Sequence, residues 1–262
     1  VAAGAVLVTP ILASILDTFR DAVDFIFHER LSGAGTVHVG GLHEVGHLTA
    51  NHFAVSFLAL VIAIAVSVPI GLWLGHLGRA EFLAVGVANI GRAVPALAII
   101  AFFVAFLGTG FTNVAFALTL LAIPPILTNT YVGMRQVDPE LVDAARGQGL
   151  SERQIVRQVE LPLALATIFG GIRISAVTVL ATAIIAPRAG LDTLGTPIIS
   201  FNVYGEAGQV GAAIVIAVLT LTTDAGFALV QRLVTPRGLK VAGRGRSPFR
   251  LWPTSIRRVQ IP

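Results

Sequence analysis

The chain has no cysteine in 262 residues, which excludes disulfides, thiolate metal sites and cysteine nucleophiles. Charge is scarce: 12% of residues are Asp, Glu, Lys or Arg, about half the share usual in soluble domains. Tyrosine and tryptophan number two each, so no aromatic cage for a cation is evident in the apolar segments. No Gly-x-x-x-x-Gly-Lys-Ser/Thr occurs, so the chain carries no nucleotide-binding loop of its own. Against these absences stand 55% hydrophobic residues, 27 glycines and a mean hydropathy of +0.84. Glycine is commoner in membrane helices than in soluble ones. The composition predicts an all-α polytopic membrane protein.

A spanning helix needs about 20 predominantly apolar residues. Five segments qualify, at roughly 53–75, 82–106, 112–134, 163–186 and 208–231. Residues 1–16 are a further apolar stretch, read as a signal-anchor remnant or one additional N-terminal helix. The expected organisation is 1–52 as this stretch plus an extracytoplasmic polar segment, 53–235 as the transmembrane core, and 236–262 as a basic tail. Arg79, then Arg135, Arg146, Arg153 and Arg157 in the loop 135–162, then eight basic residues from Arg232 to Arg258 all fall on one side. That side is the cytoplasm by the positive-inside rule, and the C-terminus lies there with it. The basic tail is read as lying near anionic membrane lipid rather than on nucleic acid.

The loop 135–162 is the most informative polar stretch. Asp138-Pro139-Glu140 starts a helix: Asp caps, Pro fits the first turn, and the acid meets the positive dipole end. Leu141, Val142 and Ala145 give it an apolar side, and Gly147 and Gly149 end it. Ser151-Glu152-Arg153-Gln154 reads as a capping box opening a second helix, with Leu150 and Ile155 spaced as its hydrophobic staple. Pro162 marks the turn back into the membrane. Two short helices about a glycine turn make a compact knob, and Ala144 and Ala145 let a partner approach closely. These residues by themselves fit either a docking knob or a well-capped solvated loop.

The segment Asp143-Ala144-Ala145, then Gly149, then Val159-Glu160-Leu161-Pro162 resembles the EAA loop of binding-protein-dependent ABC importer permeases. Asp143 stands for the usual Glu and Val159 for the usual Ile. The flanking Asn89–Leu97, Asn129–Gly133, Gly171-Ile172-Arg173 and Thr235–Leu239 are similar to the osmoprotectant branch, whose importers handle glycine betaine, choline, carnitine and related quaternary amines. The resemblance spans roughly residues 53–239. It implies a five-helix core whose coupling residues are Asp143, Ala144, Ala145, Gly149, Leu161 and Pro162. It also implies two ATPase subunits that bind ATP and magnesium, a second permease (a copy or a relative) and an extracytoplasmic substrate-binding protein, with this chain multi-pass in the cytoplasmic membrane. The chain is then a transport subunit, with no catalytic residue and no cofactor of its own. One turn departs from the family: Gly190-Leu191-Asp192-Thr193-Leu194-Gly195 replaces two glycines of a Gly-x-Gly-Gly-Leu-Gly pattern, which bears on the outer gate or the binding-protein contact.

Ionisable groups at membrane depth are costly and face a cavity or a partner. Asn89, Arg92, Pro95, Asn129 and Asp224 are therefore the candidates for the substrate path or gate, and Pro124-Pro125 suggests a break in the third span. Arg173 is read as an anchor at the interface. A competing motif is His43-Glu44-Val45-Gly46-His47, which satisfies the His-Glu-x-x-His pattern of zinc metalloproteases. Gly46 weakens that helix, and the third ligand at the metzincin spacing would fall on Phe53, with Ala50 in place of the Gly. The preferred reading of these residues is an interfacial lead-in helix, with no metal. A passive channel is the third alternative, but it gives the knob no purpose.

Overall fold

The computed structural model describes residues 2–78, 86 and 94–235. Arg79, Asn89, Arg92 and the tail 236–262 lie outside them. The helical expectation holds. In chain order the elements are α1 (Ala2–Phe27), a hairpin of β1 (Glu29–Leu31) and β2 (His38–Gly40), and α2 (Gly41–Leu77). Then come α3 (Ala96–Leu107), α4 (Phe111–Arg135), α5 (Pro139–Gly147) and α6 (Glu152–Ile155). A π-helical stretch, Val156–Glu160, leads into α7 (Leu161–Thr182), a 3₁₀ stretch (Ala183–Ala189), α8 (Gly195–Ile199) and α9 (Phe201–Val234). Among the described residues four helical stretches are long and apolar enough to cross a membrane: Gly41–Leu77, Phe111–Arg135, Glu152–Ala189 and Phe201–Val234. The shorter apolar helix Ala96–Leu107 represents the second expected span.

Several boundaries differ from the sequence reading. The first long helix starts at Gly41 rather than 53, because His43–His52 continue it as its first turns. Helix α1 runs past residue 16 to Phe27, through Asp17, Asp21 and Asp24. It does so by burying Ala22 and Phe25 fully against α9. A Cβ at Gly211 would lie 2.9 Å from both the Ala22 carbonyl oxygen and a Phe25 ring carbon, so glycine permits that contact. The fifth span begins at Phe201 and is kinked at Gly205, whose φ is +63°. Pro124 and Pro125 do not break α4, which is continuous. The Ser175 hydroxyl donates to Ala122 O at 2.8 Å and the Ser67 hydroxyl to Ile123 O at 3.3 Å, so both neighbouring helices are fastened to the turn just before the prolines.

The centre is the packing of α4 between α2 and α7. Every fourth residue of α2 from Ala59 through Ala63, Ser67 and Gly71 to Gly75 is small and buried. In lipid, helices gain nothing from hydrophobic exclusion of one another, so close backbone approach and van der Waals contact hold them. A Cβ at Gly71 would sit 2.6 Å from the Thr130 Cβ, and one at Gly75 2.5 Å from the Met134 Cβ. The fourth-residue stripe was not among the features read from the sequence, although its spacing is plain there. A second, smaller cluster of Phe25, Val39, Val45, Leu48, Leu194, Ala207 and Ile216 closes the opposite end of the molecule.

Candidate coupling site

The knob forms as its caps predict. Asp138 accepts from the Glu140 N–H at 2.9 Å, and Pro139 opens α5. Gly149, not Gly147, is the stop: its φ is +84°, with Gly149 N–H on Arg146 O at 3.0 Å and Leu150 N–H on Ala145 O at 3.2 Å. That pair of bonds closes a left-handed helix end. Gln154 Oε1 accepts from both the Ser151 N–H and the Ser151 hydroxyl, each at 2.8 Å, which supplies the back-reaching half of a capping box. Ala145 and Ile155 are buried beneath the turn, whereas Asp143, Ala144 and Gly149 face outward. Leu141, expected on the apolar inner side, is 49% exposed and adds an outward apolar contact.

Pro162 requires a correction. The chain does not turn there: α6 passes through the π-helical stretch into α7, so the second knob helix is the end of a membrane-spanning helix. Proline lacks an N–H and crowds the preceding turn. Widening of the backbone to π geometry over Val156–Glu160 lets the helix accept it without breaking. Leu161 and Pro162 are half-buried at this junction.

Charge braces the knob in a way the sequence reading missed. Arg146 spans the turn, with Nε to Glu152 Oε1 at 2.9 Å, Nη2 to Glu152 Oε2 at 3.2 Å and Nη1 to Asp143 Oδ1 at 2.9 Å. The Glu152 carboxylate holds the Arg146 guanidinium pKa above its ordinary value, so this brace stays charged. Behind it, His76 near the end of α2 places Nδ1 2.7 Å from Glu160 Oε2 and Nε2 3.2 Å from Glu152 Oε2. Glu160 is buried. A continuous polar chain, Asp143–Arg146–Glu152–His76–Glu160, thus ties the exposed face of the knob to the ends of two long helices. The only sequence signal was one histidine at the end of an apolar run.

The remaining candidates are dispersed. Pro95 is exposed and caps α3. Asn129 is half-buried, donates to Pro125 O at 2.8 Å, and packs where α7 crosses α4 at Gly171. Asp224 pairs with Arg173, which therefore is not an interfacial anchor but half of an ion pair along the α7–α9 flank. The His43-Glu44-Val45-Gly46-His47 helix is committed to structure. Glu44 accepts from the Gly40 N–H at 2.6 Å and from the Tyr204 hydroxyl at 2.7 Å, fastening α2 to the hairpin and α9. In the departing turn, the buried Thr193 hydroxyl donates to Ala183 O at 3.1 Å and accepts from the Gly195 N–H at 3.2 Å. Gly195 is obligatory, because a Cβ there would overlap the Ile184 carbonyl.

Long apolar helices with a braced helical knob at one end define a membrane-spanning transport component. The chain belongs to the binding-protein-dependent transport system inner membrane component family, whose profile matches residues 67–238. It is 35% identical over 204 residues to the carnitine transport permease protein OpuCB of Listeria monocytogenes, covering 78% of this chain and 94% of that one. It is also 35% identical over 198 residues to the glycine betaine/carnitine/choline permease protein OpuCB of Bacillus subtilis, covering 75% and 91%. Among solved structures it is similar to an inward-facing MetNI methionine ABC transporter, with a TM-score of 0.65 at 19% identity over 74% of this chain and 98% of that one. That likeness establishes the fold. None of these comparisons supports a protease.

Proposed function

We infer that this chain is the permease of an ATP-driven importer for a betaine-like quaternary amine osmolyte, working by alternating access. The carrying observation is the knob: an outward-facing helix pair, locked by Gly149 and Arg146, continuous with a membrane-spanning helix. Asp143, Ala144 and Gly149 form its contact face for an ATPase and Ala145 packs beneath that face, while Leu161 and Pro162 join it to the membrane helix. Two ATPase subunits hold the ATP and magnesium. Their closure pushes on the knobs, and the push passes along α6–α7 and through His76 to α2. A second permease completes the path, and a binding protein delivers substrate from the extracytoplasmic side. The knob and the C-terminus then share the cytoplasmic side. The substrate class follows the names of the OpuCB relatives, carnitine in one and glycine betaine, carnitine and choline in the other.

The test is purification of the tagged chain from its own membranes in mild detergent, with stoichiometric partners identified by mass. An ATPase in the complex and ATP-dependent uptake of glycine betaine in vesicles are the expected results. Purification of the chain alone, with bound zinc that is lost on mutating His43 and His47, would overturn the reading.

A further inference from the structure

The Arg173–Asp224 pair joins two membrane-spanning stretches away from the ends of either. Arg173 is twelve positions into α7 and Asp224 ten positions from the end of α9, about 18 and 15 Å along the helices. Both groups lie inside stretches long and apolar enough to cross a hydrocarbon core of about 30 Å, Glu152–Ala189 and Phe201–Val234. The contact is a two-point fork, Nε to Oδ1 at 2.9 Å and Nη2 to Oδ2 at 2.8 Å. It is steadied by Gln231, whose Oε1 accepts from Arg173 Nη1 at 3.4 Å and whose Nε2 donates to Ala166 O at 2.8 Å. Yet the two side chains are 34% and 36% exposed. They border a cavity of about 450 Å³ lined also by Gly170, Ile174, Val177 and Thr178. Charged groups at that depth do not face lipid tails; they face protein or a water-filled cavity.

We propose that the Arg173–Asp224 pair is the substrate-recognition point of the transport path, selective for zwitterions that carry a quaternary ammonium and a carboxylate. This rests on the substrate class inferred above. The chemistry is an exchange of partners. The substrate carboxylate takes the guanidinium fork from Asp224, and the freed Asp224 carboxylate faces the ammonium. Site and ligand are each neutral overall, so no unpaired charge stands at membrane depth at any stage. A cation without a carboxylate can meet only Asp224 and leaves Arg173 unpaired, so it is disfavoured. Arginine suits this task better than lysine, because its planar fork matches a carboxylate at two points.

Two measurements on the assembled importer test the proposal. In the first, radiolabelled glycine betaine and choline are compared for uptake by wild type and Arg173→Gln. Betaine uptake should fall about tenfold or more through KM, while choline uptake should hold or rise, because the guanidinium that choline leaves unpaired is gone and the site loses its discrimination. Equal loss on both compounds makes the pair a helix staple and overturns the proposal. If Arg173→Gln does not reach the membrane, Arg173→Lys, which keeps the charge but not the fork, is read on the same ratio. The second uses the absence of native cysteine: Thr178→Cys should react with a water-soluble thiol reagent, and glycine betaine should slow that reaction. No labelling, or labelling indifferent to betaine, overturns the site. Wild type that imports neither compound removes the inferred substrate class and this site with it. Wild type that imports betaine while the Arg173→Gln ratio is unchanged removes the site alone.

Discussion

Gly75 and Gly149 are both glycines at a joint, and they are needed for opposite reasons. Gly75 lies in an ordinary helix where α2 meets α4, and any side chain there would strike Met134. Gly149 has nothing within 4 Å of a built Cβ, but its φ of +84° is one that other residues rarely adopt. The first is demanded by a neighbour, the second by its own backbone. In the membrane, close packing must do what water does for a soluble core. At the knob most groups meet water, and local turn geometry and charge braces decide the shape. Damage at the first joint should therefore remove the protein, and damage at the second should leave the protein and remove its coupling.

The largest expected effect is from Gly75→Val, which overpacks the α2–α4 crossing at a cost of about 3 kcal/mol or more. Membrane accumulation should collapse, as read by quantitative immunoblot. Normal accumulation would mean the crossing can open without loss, and the contrast would fail. Next is Gly149→Asp, which should reach the membrane at near-normal level while ATP hydrolysis no longer drives uptake. A central interface residue carries about 2 kcal/mol or more, so ATPase association should weaken about thirtyfold. Gly149→Asn should be milder, since Asn enters the left-handed region as Asp does but adds no charge to the contact face. Normally coupled uptake by Gly149→Asp would sink the knob assignment.

His76→Ala tests the link between the two regions. It leaves the buried Glu160 carboxylate without its partner, a loss of about 1–3 kcal/mol. The melting temperature in detergent should drop by a few degrees, and uptake per ATP hydrolysed should fall. An unchanged ratio would show that the push travels along α6–α7 alone. Arg146→Ala should have the smallest effect. Its pairs are exposed, and such pairs contribute little to stability. Melting should be unchanged, while ATPase affinity should fall and lose part of its salt dependence, because screening contracts to about 3 Å at 1 M salt. Salt dependence equal to wild type would mean the brace is idle.

The parts of the knob legible in advance are those made by neighbours in sequence. Asp138, Pro139, Ser151 and Gln154 act within three residues of their partners, so cap chemistry identifies them. The parts missed involve partners far along the chain. His76 meets Glu160 across 84 positions, and Arg173 meets Asp224 across 51. Pro162 was misread because a proline before an apolar run usually marks a turn; here a π-helical stretch absorbs it. The stripe of small residues on α2 was readable from its spacing of four, but its meaning depends on which helix lies against it.

The sequence by itself determined the solvent, the helical class and the cap chemistry of the knob. Each of these follows from composition or from interactions within a few residues. Only the tertiary structure decided which glycines touch a neighbour, which charges pair at membrane depth, and that the knob and a spanning helix are one rod. Those depend on the register and rotation of helices packed side by side. Hydropathy is blind to both, because a residue facing lipid and one facing another helix can be equally apolar.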